Sequence, residues 1–527
     1  MVEQQPNRNG RRAAAQATRL TARAVGQASR VVRGQIVSRV GGPARARVIA
    51  LLGGVLALST ADSATVGAIA PQLRQSLHIN LTQIGLLSTV ALLVGALFVI
   101  PVGMFVDRVK RIPLLSASVV LWSIASLASG FAGSYDSLLL TRLALGAVSA
   151  TAGPAVASLT GDYFPASERG RVYSYILAGE VGGTAAGFIV SGTVASLISW
   201  RAAFILLSIP GFFLARALWR TVPEPLRGGQ SHLEPGVTDL HEALDAVRSR
   251  AAEPYPPEPG APTDDELAHE AVRRRGVHPD ETLVLAEDPL RMSLGRAVRY
   301  ILSIPSNVML IFGSSLGYFF FAGLSTFAVV FVEGHYRVGQ ATAELVLVLL
   351  VIGALIGTLV SGRLSDLLVR RGFVEARVLI PAACYLGATA VLIPGILASS
   401  LGGAIWFDVA GAALLSAANP PLDAARLDII PARLWGRAES TRSCLRSLAQ
   451  AFAPLIFGAV ADLIAGFTPQ QKFIGPHSGG AVSVRTGTGL EFSFLIMLVS
   501  LAAAGVFLAR ARQRYPIDVA TAAAAHQ

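Results

Sequence analysis

Apolar residues run through this chain in long blocks with no polar stripe to interrupt them, and twelve such blocks recur. They lie near 48–71, 84–106, 112–133, 137–161, 172–198, 202–220, 305–332, 342–364, 377–398, 402–424, 443–466 and 490–510. About 20 apolar residues in helical form cross the hydrocarbon core of a bilayer, so each block is predicted to be a spanning helix. One long polar stretch, 221–300, separates the sixth block from the seventh. It is Pro-rich from Pro254 to Pro262 and has weakly amphipathic runs at Leu240 to Arg250 and Asp264 to Arg275. Such a segment reads as a linker, partly helical or disordered. The chain therefore divides into an arm at 1–46, a six-helix bundle at 47–220, the linker at 221–300, a second bundle at 301–512 and a tail at 513–527. The predicted fold class is an all-α membrane protein of twelve transmembrane helices in two six-helix bundles.

Composition agrees. Only 15% of the residues are charged, and the mean hydropathy is +0.56. An ordinary soluble domain carries roughly 25% charge. No short apolar segment with a cleavage site precedes the first block, so that block is expected to be retained. Cys384 and Cys444 are too few for a disulfide framework and read as small apolar helix residues.

The net charge of +11 raises the question of nucleic acid, but its distribution answers against it. One set of loops carries Arg108, Lys110, Arg111, Arg169, Arg171, Arg363, Arg370, Arg371, Arg377, Arg433 and Arg437. The alternate set has little beyond Arg74, Arg201, Arg337, Lys472 and Arg485. Positive loops face the cytoplasm, which orients both termini and the linker inward, in a bacterial inner membrane. The arm from Arg11 to Arg47 has apolar residues at rough helical spacing and is expected on the anionic leaflet, or as a disordered basic tail.

The two halves echo each other. Gly103-Met-Phe-Val-Asp107-Arg108-Val-Lys110-Arg111 follows the second block, and Gly362-Arg-Leu-Ser-Asp366-Leu-Leu-Val-Arg370-Arg371 follows the eighth. Pro154, Asp162, Pro165, Gly170 and Arg171 in one half share a register with Pro420, Asp428, Pro431, Gly436 and Arg437 in the other. An internal repeat of this kind is what a two-bundle solute carrier predicts.

These residues resemble the major facilitator superfamily over about residues 45 to 512. Gly103 to Arg111 is similar to the family's loop motif between helices 2 and 3, with Lys110 in place of its second glycine. Arg142 with Gly146, Asp162-Tyr-Phe-Pro165 with Glu168-Arg169-Gly170-Arg171, and Trp200-Arg201-Ala-Ala-Phe204 also fit. Glu224-Pro225-Leu-Arg227-Gly228, the aromatic seventh block and the Asp428 to Arg437 region look like spinster-type lipid carriers. Those carriers usually have an acid–Arg pair in helix 1, where this chain has Asp62-Ser63, and a glutamate near Ser149. The resemblance implies alternating access around a cavity lined by helices 1, 4, 7 and 10.

Ionisable residues deep in a membrane cost roughly 2.5–3.5 kcal/mol each, so each needs a reason. Asp62, Arg142, Glu180 and Asp408 stand out. Counting along the helices puts Asp62 and Arg142 at similar height, and their pairing offers a proton-coupling switch or a static ion pair between helices. Arg142 and Asp408 hold equivalent repeat positions with opposite charge. They are expected either at the two ends of a substrate site, closing on each other when it is empty, or satisfied each within its own half. Glu180 sits among glycines that allow close packing, as a second proton site, a lock to helix 8 or a structural group. Tyr318, Phe319, Phe320 and Phe321, with Trp406, are candidate walls of an apolar cavity or plain packing residues. Gly103, Asp107, Arg108, Arg111, Gly362, Asp366, Arg370, Asp162, Arg171, Asp428 and Arg437 are expected to form a cytoplasmic gate. In it, Asp107 or Asp366 caps a helix start and pairs with arginines such as Arg111 or Arg370.

The preferred reading is thus a proton-coupled carrier or exporter of a hydrophobic or amphiphilic solute, such as a lysolipid or drug, working as a monomer. An importer of a small polar metabolite or sugar is the alternative, and a membrane scaffold the alternative from another class. No Ser/His/Asp set, metal cluster, phosphate loop or cofactor motif is present, and all eight histidines fall outside the twelve blocks.

Overall fold

A computed structural model describes residues 37–38, 40–106, 109–164, 166–225, 233–234, 236–240, 242, 264–285, 292–431, 434–467 and 484–524. Its twelve long apolar helices fall where the blocks predict. They are helix 1 (Pro43–Ala68), helix 2 (Leu81–Val106), helix 3 (Arg111–Gly130), helix 4 (Tyr135–Ser149 and Ala152–Tyr163) and helix 5 (Ala166–Ala186, continuing to Leu197). Helix 6 (Trp200–Thr221) ends the first half. The second half holds helix 7 (Pro305–Tyr336), helix 8 (Gln340–Arg370), helix 9 (Ala376–Leu397), helix 10 (Leu401–Ala417 and Asn419–Asp428), helix 11 (Trp435–Gly466) and helix 12 (Val484–Ala511).

Local chemistry sets several of these boundaries. Proline opens helices 1 and 7, where its missing N–H costs nothing. Ser134 and Ser137 cap each other's backbone at the start of helix 4. Helices 4 and 10 break at equivalent places, just before Pro154 and at Pro420–Pro421. The repeat is therefore structural as well as sequential.

Helix 5 lies unusually close to helix 1. A Cβ on Gly179, Gly183 or Gly187 would come within 2.8, 2.2 and 2.4 Å of the backbone carbonyls of Gly53, Ala57 and Ala61. Glycine every fourth residue makes one flat stripe, and two backbones in contact gain the dispersion that lipid-facing side chains cannot supply. The helix widens into a π turn at Gly187–Ser191, and there Ser191 meets Thr65 of helix 1, hydroxyl to hydroxyl at 2.7 Å.

Beyond the spans, Asp264–Arg274 is helical as the linker pattern predicts, and its His269 ring lies 3.0 Å from the Asp428 carbonyl. The arm before residue 37 and nearly all of the expected Leu240 to Arg250 run lie outside the described residues. The 513–527 tail contains a buried helix, Tyr515–Ala524. The Tyr515 hydroxyl donates to Asp428 at 2.5 Å, and Asp518 accepts from the Ser306 N–H at 2.9 Å, capping helix 7. Burial pushes the Asp518 carboxyl above its ordinary value, and the Ser306 hydrogen bonds pull it back. Asp518→Ala is expected to cost about 1 kcal/mol, as loss of a helix cap does, read as a lower Tm of the detergent-solubilised protein.

Candidate functional site

The end of the molecule that carries the basic loops is braced inside each half. Arg111, at the first turn of helix 3, is 1% exposed and binds Asp162 of helix 4; it also donates to Glu224 at 3.0 Å and to the Pro225 carbonyl at 3.0 Å. Glu224 caps helix 3, accepting from the Arg111 and Ile112 N–H groups at 3.0 and 2.8 Å. In the second half Arg377 donates to Asp428 at 2.9 Å and lies 3.9 Å from Asp366. Arg111 and Asp162 are 51 residues apart, as are Arg377 and Asp428.

That spacing corrects the expected register. The structural mate of Arg111 is Arg377, whereas Arg370 is exposed. A turn with Gly372 at φ +91° follows helix 8, and it delays the matching arginine. The helix cap expected from Asp107 or Asp366 is supplied on helix 3 by Glu224. Asp107 and Arg108 lie outside the described residues. Gly103, Arg171 and Gly362 lie on helices at this end, and the Arg437 guanidinium donates to the Met292 carbonyl.

Asp62 and Arg142 do meet, Oδ2 to Nη1 at 2.9 Å, and are 2% and 1% exposed. Arg142 also donates to Ser129 of helix 3 and lies 4.7 Å from the centre of the Phe204 ring on helix 6. Asp62 Oδ1 is buried with no partner. The pair is therefore enclosed by helices 1, 3, 4 and 6 of one half. Asp408 is elsewhere. It borders a small apolar cleft in the second half, walled by Phe320, Leu324, Ala328, Phe331 and Phe494. A Cβ on Gly395 would lie 2.5 Å from Asp408 Oδ1, so a glycine on helix 9 makes room for the carboxylate. Arg142 and Asp408 thus do not close on each other; each is housed in its own half.

The aromatics also divide. Phe320 lines the cleft, and Phe319 packs on Phe457 at 5.8 Å. Trp406 is 77% exposed and Phe321 41% exposed, so neither is packed in the second-half core as Phe320 is. Tyr318 faces a different partner: the Arg446 guanidinium of helix 11 sits 4.4 Å above its ring. Glu180 of helix 5 is within electrostatic reach of Arg446, so a carboxylate of one half interacts with a cation of the other. Next to it Arg442 binds Asp423 at 2.8 Å and Glu439 at 3.0 Å, and Arg426 binds Glu439 at 2.6 Å. Sequence inspection missed this group, although Arg446 breaks the eleventh apolar block as plainly as Arg142 breaks the fourth.

The halves join at the end opposite the basic loops. A Cβ on Gly85 would lie 2.2 Å from the Pro454 carbonyl, and one on Gly458 would lie 2.4 Å from that of Leu81. Asp462 of helix 11 caps helix 2, accepting from the Leu81 and Thr82 N–H groups at 3.3 and 2.7 Å and from the Thr82 hydroxyl at 2.7 Å. Gln72 donates to Gln340, which donates in turn to the Ala68 and Gly192 carbonyls at 3.2 Å. Ala152–Tyr163 and Asn419–Asp428, the basic-end parts of helices 4 and 10, pack within their own halves. The molecule is sealed at one end by contacts between halves and braced at the other by contacts within them.

Residues 51–454 match the family model described as Major Facilitator Superfamily. An uncharacterized transporter of Bacillus subtilis, YybO, is 26% identical over 186 residues, 35% of this chain and 43% of that protein. The 4-hydroxybenzoate transporter PcaK of Pseudomonas aeruginosa is 28% identical over 185 residues, 35% of this chain and 41% of its own length. Quinolone resistance protein NorB of Staphylococcus aureus is 28% identical over 151 residues, covering 28% of this chain and 33% of that protein. The aligned stretches span less than half of these relatives. The fold is also similar to a crystal structure of a bacterial homolog to the human lysosomal transporter spinster, inward-facing and unoccupied, with TM-score 0.64 and 21% identity. That match covers 90% of this chain and 98% of the other.

Proposed function

Since the chain belongs to the major facilitator superfamily, a family of membrane transporters, we propose that it is a proton-coupled carrier of a hydrophobic or amphiphilic solute, such as a lysolipid or drug. It works by alternating access in a bacterial inner membrane, with the basic end and both termini cytoplasmic. The observation that carries the coupling is the Asp62–Arg142 pair, buried and with one carboxylate oxygen unpartnered. A carboxylate held this way is a proton acceptor whenever the arginine moves off it, and a rearrangement of helices 1 and 4 is the motion that would move it. The apolar cleft beside Asp408 supports an apolar body on the solute, and the carboxylate gives that body an orientation.

Reconstitution into proteoliposomes tests the reading directly, with an imposed pH gradient and a screen over lysolipids, dyes and sugars. Asp62→Asn is expected to abolish gradient-driven accumulation and to spare exchange of solute across the membrane without a gradient. Unchanged uphill transport by that variant would remove the pair from coupling.

One observation favours a second reading. Arg446 sits over Tyr318, near Arg426 and Arg442 whose charges Glu439 and Asp423 already meet, and a cation on an aromatic face suits a carboxylate on an aromatic or sugar acid. PcaK is named for such an acid. Saturable uptake of an acid, lost in Arg446→Gln, would replace the amphiphile with a small anion.

A further inference from the structure

Two glutamates sit in the sealed seam and take no part in the coupling pair. Glu333 on helix 7 is 3% exposed, and neither of its carboxylate oxygens has a hydrogen-bond partner. It lies two turns beyond Thr326 on the same helical face, and the Ser325 and Thr326 carbonyls press on Gly67 of helix 1. Glu333 therefore points along the junction between halves. Glu344, near the start of helix 8, is 5% exposed; Thr193 of helix 5 donates to its Oε2 at 3.4 Å, and Oε1 has no partner. A Cβ on Gly192 would lie 1.8 Å from Oε1, so the carboxylate is wedged against the backbone of the other half.

The repeat makes the wedge conspicuous. Glu344 stands as far before Asp366 as Gly85 stands before Asp107, and Gly192 stands as far after Asp162 as Gly458 after Asp428. One diagonal of the seam is thus closed glycine to backbone, at Gly85 and Gly458. On the other diagonal a carboxylate occupies the place of the glycine. Packing alone does not call for an acid there.

The charged group bearing on Glu333 is Glu344, and Glu344 is held by Gln340 and Thr193. Other charges on neighbouring elements are engaged elsewhere. His335 lies 3.3 Å from Glu491 of helix 12, Arg74 donates to Thr486, Asp462 caps helix 2, and Arg485 donates to the Ala465 carbonyl. Arg337, at the end of helix 7, is exposed. Two carboxylates desolvated together without a cation cannot both be ionised. Hard metal cations take about six oxygen ligands, and among the described residues no acidic cluster suited to a metal is present. A proton needs one oxygen.

We infer that Glu333 and Glu344 form a proton-binding site that locks the end opposite the basic loops. Protonated, the pair tolerates burial in the seam; ionised, it must be hydrated, which draws water in against the backbone of the other half, and the halves part. The proton enters and leaves from that same face, so the site gates access and is separate from coupling at Asp62.

The test reads conformation rather than transport, so it fails or succeeds independently of the carrier's solute and coupling ion. Spin labels are placed at Gly133→Cys and Ser399→Cys, exposed loop positions of the two halves at this end, with Cys384 and Cys444 replaced by alanine. In nanodiscs the distance between labels is expected to lengthen as pH rises from mildly acidic to mildly alkaline. Glu333→Gln with Glu344→Gln, isosteric with the protonated forms, is expected to stay at the short distance at every pH. Each single variant is measured beside the double, so instability of one does not decide the result. A pH response that survives in the glutamine variants overturns the site, as does its absence in the parent. Loss of the response only in His335→Gln assigns it to the histidine, and a shift driven by sodium at fixed pH assigns a metal cation; both overturn the proton site.

Discussion

Arg142→Met is expected to lower stability by about 3–5 kcal/mol, because it strands the Asp62 carboxylate in a dry interface. The reason is geometric. Among the described residues Arg142 is the hydrogen-bond partner of Asp62, and it also satisfies Ser129 and lies over Phe204, so one side chain serves three neighbours. Asp62→Asn leaves the opposite orphan, a guanidinium, and should also destabilise. The double variant Asp62→Asn with Arg142→Met removes both charges and is expected to recover most of the loss, since an ion pair replaced whole is often neutral. Thermal unfolding in one detergent ranks the four proteins. If the double variant melts as low as Arg142→Met alone, the two residues are not energetically coupled, and the switch proposed for them loses its basis.

Gly85→Leu should have a comparably large effect on conformation and a small one on folding. A Cβ there would overlap the Pro454 carbonyl of the other half, and backbone cannot step aside as a flexible side chain can. Overpacking of this kind costs about 1–3 kcal/mol. Because the clash exists only while the seam is shut, that energy acts on the equilibrium between states and shifts it about 5- to 150-fold. The readout is disulfide formation between Gln72→Cys and Gln340→Cys, whose parent side chains touch across the seam. It should form readily in the parent background and fall steeply with Gly85→Leu. Gly153→Leu, at a glycine with nothing within 4 Å, serves as the control. Equal crosslinking in both would mean that glycine contact does not hold the seam.

The span pattern was fully legible in the sequence because bilayer solvation acts on every residue of a helix at once: twelve blocks became twelve helices, although helix 11 begins well before its apolar block. The Asp62–Arg142 contact was legible too, from height and opposite charge. What could not be read was direction around the helix axis. Asp408 and Arg142 share a repeat position and yet serve separate compartments. Trp406, two residues from Asp408, is 77% exposed while Asp408 borders the cleft. Glu333 and Glu344 were overlooked because they sit at the margins of their blocks, where charge is ordinarily solvated; only the docking of the other half buries them. His335 is similar, outside its block yet inside helix 7 and beside Glu491. Arg377 was obscured by a turn that shifts the register without weakening the repeat.

The cap that Asp462 places on helix 2 has one more consequence. The first turn of a helix owns amide protons it cannot satisfy itself, and here the opposite half supplies the acceptor for two of them. When the halves part, the Leu81 and Thr82 amides lose that acceptor and meet solvent. Their deuterium uptake is therefore an intrinsic, label-free clock of how often the unmodified protein unseals.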